Sequence, residues 1–76
     1  MSWNYRVIQT DHAATGITTF GIHEVFYGAD GSATGFTSRE VGVVADTVDE
    51  LGLVLDRMRE ALAKPVLAPT DFPTSG

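Results

Sequence analysis

Hydrophobic positions along this chain follow first one period and then another. From Trp3 to Gln9 they alternate, with Trp3, Tyr5 and Val7 on one side and Asn4, Arg6 and Ile8 on the other, which is the repeat of a β-strand. The run is rich in aromatic and β-branched side chains, which suit a pleated, half-buried surface. Thr10 to Gly16 is small and polar and closes on a glycine, so it reads as a loop. Ile17 to Tyr27 is the longest strand signal and contains no proline. Asp30-Gly31, inside Gly28 to Ser32, then marks a hairpin because both residues tolerate positive φ. Ala33 to Ser38 is the returning strand. A two-residue turn sets Val25 opposite Phe36 and His23 opposite Ser38, whereas a one-residue bulge at Gly31 would reverse those faces. Arg39 to Ala45, with Val41, Val43 and Val44, either continues the sheet or adds a short fourth strand.

After Thr47 the period becomes helical. Thr47-Val48-Asp49-Glu50 fits a capping box, in which the threonine hydroxyl accepts from a free amide of the first turn and the glutamate reaches back. Asp49 and Glu50 also suit the positive end of the helix dipole. The helix is therefore predicted to begin at Val48. Leu51, Val54, Leu55, Met58, Ala61 and Leu62 recur at steps of three and four and form one apolar stripe, with Leu55 and Met58 at its centre. Gly52 is out of place there, costing about 1 kcal/mol relative to alanine, and the close approach of another backbone would explain it. Pro65 disfavours helix at Lys64 and ends the run.

These elements predict an α+β domain of order β-β-β-α over residues 1–67. The sheet is antiparallel, with three strands, or four if Arg39 to Ala45 contributes one, and a single C-terminal helix packs on one face. Pro65, Pro69 and Pro73 deny the end of the chain helix and central-strand hydrogen bonds. Residues 68–76 are accordingly expected to be a flexible Pro-rich tail, although Val66, Leu67 and Phe72 have the character to touch the body.

At 76 residues there is room for one domain, and a chain this short buries only about 60% of its unfolded surface, so a partner or a dimer is plausible at once. An apolar fraction of 43% and a charged fraction of 20% place the chain among folded rather than disordered sequences. The absence of cysteine excludes disulfides, thiolate zinc sites and thiol nucleophiles. No basic leader and no long apolar run is visible, which leads to the expectation of a cytoplasmic protein without membrane contact. The net charge of −5 opposes nucleic-acid binding, which rests on basic surface. Mimicry of nucleic acid by an acidic inhibitor is the converse idea. The acidic residues are scattered, however, and the densest group, Asp46, Asp49 and Glu50, has a local explanation at a helix start.

Candidate chemistry is sparse. His23 and Glu24 are neighbours in a strand and point to opposite faces, so they do not form an acid/base pair. His12 lies beside Asp11 in the first loop, and two histidines without a defined spacing to carboxylates make no metal motif. Gly28, Gly31 and Gly35 belong to hairpin and strand geometry rather than to a phosphate cradle. Ser32, Thr37 and Ser38 have no evident base beside them. No catalytic residue, cofactor or metal ligand is assigned.

One sheet face must meet the helix. Trp3, Tyr5, Val7, Phe20, Ile22 and Phe26 carry more apolar bulk and are assigned to the core, a choice that turns Glu24 inward toward Arg57 or Arg59. His23, Val25 and Tyr27, with Ile8 and Phe36, then lie on the uncovered face, which becomes the candidate interaction surface.

Tyr5-Arg6-Val7, the block Gly21 to Tyr27, the Asp30-Gly31 turn and the ending Met58 to Leu67 resemble a group of short, functionally uncharacterised bacterial proteins over residues 3–67. That resemblance implies a bacterial cytoplasmic setting and the same fold, and no activity. The strand order is also similar to the partial ribonuclease-like domain of antitoxins of the HicB type, which bind a toxin protein, although no HicB motif matches residue by residue. The expected function is a non-enzymatic protein-binding or accessory module, acting on a protein partner or as a homodimer. The alternative is a small enzyme or ligand-binding subunit using His23 and Tyr27 in a site completed by a second copy.

Overall fold

A computed structural model describes residues 2–73. Three antiparallel strands, β1 (Ser2–His12), β2 (Ile17–Tyr27) and β3 (Ala33–Phe36), form one sheet in the order β1-β2-β3, and one helix, α1 (Val48–Glu60), follows. The fold is α+β with the predicted β-β-β-α order. No helix among the described residues is long and apolar enough to cross a membrane.

The first hairpin is longer than its hydrophobic pattern implies. Pairing runs unbroken from Ser2 opposite Tyr27 to His12 opposite Ile17. Its polar end, expected to be loop, is tied across the strands by side chains: Thr18 Oγ donates to Asp11 at 2.8 Å and His12 Nε2 lies 3.0 Å from Thr19 Oγ. Cross-strand bonds of this kind let exposed polar residues extend a ladder that apolar alternation does not signal.

The second hairpin keeps the predicted faces by a compensated route. The turn is a three-residue loop, Ala29-Asp30-Gly31, closed by Gly28 N–H to the Ser32 carbonyl at 2.9 Å, with Gly31 at φ 84°. A loop of this length takes a left-handed last residue, which glycine supplies without steric cost. It shifts the register by one residue, and a bulge beside Phe26 and Tyr27 shifts it back, so that Val25 still faces Phe36. Asp30 locks the turn by accepting from the Ser32 hydroxyl at 2.7 Å and the Ser32 amide at 3.0 Å.

Arg39 to Ala45 adds no fourth strand. It meets the edge of β2 only through Val41 N–H to the Ile22 carbonyl, following the bond from Thr37 N–H to the Glu24 carbonyl just before it. Helix α1 begins at Val48, and the Thr47 hydroxyl accepts from the Glu50 amide at 3.1 Å. It runs into a 3₁₀ turn at Ala61–Ala63, after which Lys64 is extended ahead of Pro65. Met58 and Ala61 are buried, whereas Leu55, expected at the centre of the stripe, is 49% exposed. The buried line is thus rotated toward Leu51, Val54, Met58 and Ala61.

The chain beyond the helix folds back. Leu67 pairs in parallel with Ile8, through Leu67 N–H to the Val7 carbonyl at 2.9 Å and Gln9 N–H to the Leu67 carbonyl at 2.7 Å. A second 3₁₀ turn, Pro69–Asp71, is closed by Ala68 N–H to the Asp71 carboxylate at 2.7 Å. The Phe72 ring then packs on Phe36 at 4.5 Å. Of the tail expected at 68–76, residues 68–73 make these contacts with the body, while Thr74 to Gly76 lie outside the described residues. Proline suits this path because each 3₁₀ or edge position it occupies asks for no ladder donor.

Two outcomes check this arrangement. Met58→Ala is expected to lower unfolding free energy by about 2 to 5 kcal/mol, while Leu53→Ala, on the exposed side, changes it by less than about 0.5 kcal/mol. Equal urea midpoints for the two would overturn the assigned helix face. The Ser32 hydroxyl and then the Ser32 amide hold the Asp30 carboxyl below its ordinary value. A depressed pKa contributes stability above the unfolded value that is lost as pH falls through the folded one. Carboxyl-carbon titration should therefore place Asp30 below a peptide reference, and Ser32→Ala should move it back up.

Candidate functional site

Strand pairing assigns the faces without ambiguity, since partners across an antiparallel ladder point the same way. Asn4, Arg6 and Ile8 share a face with Val25, His23 and Gly21, their partners on β2, and Phe36 joins them opposite Val25. Ile8 and Val25 on this face are fully buried, His23 is buried, and Tyr27 and Phe36 are half-buried. The candidate interaction surface of His23, Val25, Tyr27, Phe36 and Ile8 is therefore the inside of the protein. On the other face Trp3 and Phe20, expected in the core, are 48% and 62% exposed, and Glu24 is half-buried there.

Physical reasons for the reversal lie in groups distant along the chain. The face reads as polar because of Asn4, Arg6, His23 and Tyr27, and polar groups can be buried when they are hydrogen-bonded. The Tyr27 hydroxyl donates to Asn4 Oδ1 at 2.7 Å and accepts from Arg6 Nη1 at 3.2 Å, while Arg6 Nη2 donates to the Pro65 carbonyl at 2.8 Å. Arg6 thus fastens both strands to the segment that returns from the helix. Its Nε is buried without a partner. Apolar cover comes from Leu67, beside Ile8, and from Phe72 on Phe36.

His23 occupies a fixed orientation within this core. Its Nδ1 lies 2.8 Å from the Thr37 carbonyl, and the ring meets Phe36 edge-on at 5.6 Å. A carbonyl only accepts, so the neutral ring carries its proton on Nδ1 and leaves Nε2 as an acceptor. The ring borders a depression of about 470 Å³ whose rim includes His12, Thr10, Thr19, Ser38 and Glu40. The structure brings the two histidines to one depression, a juxtaposition with no signal in a sequence spacing of eleven residues. Among the described residues no three His, Cys, Asp or Glu side chains are grouped to hold a metal ion.

The pairing of His23 with Tyr27 does not form. They stand four residues apart along β2, about 13 Å at strand rise, with the fully buried Val25 between them. Each ring has its own partners, Thr37 for one and Asn4 with Arg6 for the other. His23 and Glu24 point to opposite faces, as the sequence predicts.

Exposed apolar side chains form the other conspicuous feature, and the sequence assigns four of them, Trp3, Phe20, Leu55 and Leu62, to the core or to the helix stripe. Trp3, Ile17, Phe20, Val43, Val44, Leu53 and Val66 are exposed, as are Val48, Leu55 and Leu62 on the helix and its extension. Trp3 and Tyr5 make an edge-to-face pair at 5.3 Å and border a groove of about 350 Å³ with Arg57, Glu60 and Lys64 of the helix end. Comparison with known proteins finds no matching family model, no matching curated protein and no matching solved structure.

The half-buried network yields a direct check. Tyr27→Phe removes a hydroxyl that satisfies both Asn4 and Arg6, and a partly shielded hydrogen bond contributes about 0.5 to 1.5 kcal/mol. The variant is expected to unfold at lower urea with its circular dichroism otherwise retained; an unchanged midpoint would show that the network carries no stability.

Proposed function

We propose that the chain is a non-enzymatic protein-binding module that docks a partner on the sheet face bearing Trp3 and Phe20. The observation that carries this reading is the exposure of these two large aromatic side chains at the ends of a face whose middle is covered, with Val7 buried and Tyr5, Ile22 and Phe26 half-buried. Phe20 stands beyond Ile22 on β2, and Trp3 is directly opposite Phe26, so both point to the same side of the sheet, toward its two ends. Aromatic anchors on an otherwise structured face are the usual centres of protein interfaces, because they bury much area for little lost rotamer freedom. The net charge of −5 favours a basic or apolar protein over nucleic acid as the occupant. A bacterial cytoplasmic setting accords with the resemblance of residues 3–67 to short bacterial proteins.

A second reading follows from the depression at His12 and His23. Its volume of about 470 Å³ falls in the range of small-molecule sites, and an acceptor nitrogen of His23 with the Glu40 carboxylate would select a ligand rich in hydrogen-bond donors. Ligand binding is placed second because the rim is shallow in apolar contact, with Phe20 as its one large apolar member.

Trp3 is the single tryptophan and so reports on its own face. Captured partners of the parent protein are to be compared with those of Phe20→Glu and Trp3→Ala. Both variants are expected to stay folded by circular dichroism and to lose the same partner, and that partner should shift Trp3 fluorescence to the blue in the parent. A partner that binds all three proteins equally would remove this face from consideration.

A further inference from the structure

Helix α1 and the 3₁₀ turn that extends it carry an apolar stripe that the fold leaves open. Val48, Leu51, Leu55, Met58 and Leu62 follow one another at alternating steps of three and four, the repeat by which two helices interlock side by side. Within one chain the repeat is only half used. Met58 is buried and Leu51 half-buried, whereas Val48, Leu55 and Leu62, spaced by seven, are exposed by 85%, 49% and 65%. Gly52 lies on the same open side, four residues after Val48 and three before Leu55. A Cβ built there would meet nothing within 4 Å, so no contact inside the chain accounts for a residue that weakens a helix interior.

We propose that this stripe pairs with the same stripe of a second copy of the chain, the two helices running antiparallel about a two-fold axis near Leu55. Charge sets both the occupant and the direction. Asp49 and Glu50 stand in the first turn of α1 and Arg57 and Arg59 in the last. A parallel pair would place like charges side by side. The antiparallel pair sets Leu55 against Leu55 and Val48 against Leu62. It also brings Arg59 beside Asp49 of the second copy, on the flank that carries Gly52. Antiparallel helix dipoles favour the same direction. The missing side chain at Gly52 lets the two backbones approach next to the axis, which gives this glycine the role it lacks in the single chain. Such an interface is isologous and closes as a dimer. It uses none of the sheet face proposed for a different protein, so both surfaces can be occupied together.

Sedimentation and disulfide trapping test the pairing, and the cysteine-free chain makes trapping unambiguous. The parent is expected to sediment as a dimer. Leu55→Glu should sediment as a monomer with helical circular dichroism retained, because two carboxylates would face each other at the axis. Gly52→Gln, placed in open space, keeps the monomer folded and should also lose the dimer. Under mild oxidation Leu55→Cys and the double variant Val48→Cys/Leu62→Cys should form covalent dimers, while Val48→Cys and Leu62→Cys alone should not. A parent that sediments as one chain at every loading concentration overturns the proposal. So does a Gly52→Gln protein that remains dimeric, or a Val48→Cys single variant that cross-links to itself.

Discussion

The two backbone hydrogen bonds that join Leu67 to Val7 and Gln9 bring the end of the chain back against the sheet, and the rest of the closing segment depends on them. They extend β1 by one parallel bridge and carry the chain past Ile8 and on to Phe36, where Phe72 completes the cover. The helix does not replace that return, since α1 buries only Met58 of its own residues. Arg6 adds a third tie, from a guanidinium on β1 to the Pro65 carbonyl. The helix, its 3₁₀ extension and the closing segment are therefore held to the sheet largely through one edge strand. Few groups share that work, and each is correspondingly sensitive to substitution.

Buried polarity on the inner face follows from the same constraint. Asn4, Arg6, His23 and Tyr27 would be costly inside if left alone. Tyr27 bridges Asn4 and Arg6, and His23 uses the Thr37 carbonyl just after β3. Hydrogen bonds that are partly shielded from water are directional and fix partners as apolar contacts do not. This network sets His23 and Tyr27 into different surroundings on one strand and so keeps them from acting as a pair.

Local signals in the sequence place most of the elements, though not the polar end of the first hairpin at Thr10 to His12. The alternation from Trp3 to Val7, the Asp30-Gly31 turn, the Thr47 cap and the stop before Pro65 each depend on near neighbours, and each appears in the structure where its chemistry places it. Faces were not legible in the same way. Counting apolar bulk favoured Trp3, Tyr5 and Phe20 as core, because nothing near Arg6 or Tyr27 in sequence shows that their polar groups meet one another across 21 residues, or that Pro65 accepts from Arg6 across 59. The closing segment was misjudged for a related reason: its prolines deny ladder hydrogen bonds, yet a single bridge at Leu67 and one aromatic contact at Phe72 suffice to hold it. The meeting of His12 with His23 depends on the extended pairing of β1 with β2 and was equally hidden.

Such a fold distributes its apolar residues in an unusual way. Among the described residues the deep core consists of Val7, Ile8, Val25, Met58 and Ala61, while ten large apolar side chains stay exposed. Scattered exposed apolar residues need no explanation, but five of these are grouped. Trp3 and Phe20 belong to one sheet face, and Val48, Leu55 and Leu62 to one helix flank. A chain of 76 residues has too little interior to bury both sets, since surface outweighs volume at this size. Moving either set inward would expose the other or strand the Arg6 network. The residues that the single chain cannot cover therefore mark where cover from outside gains most, and they do so on two sides of one small domain.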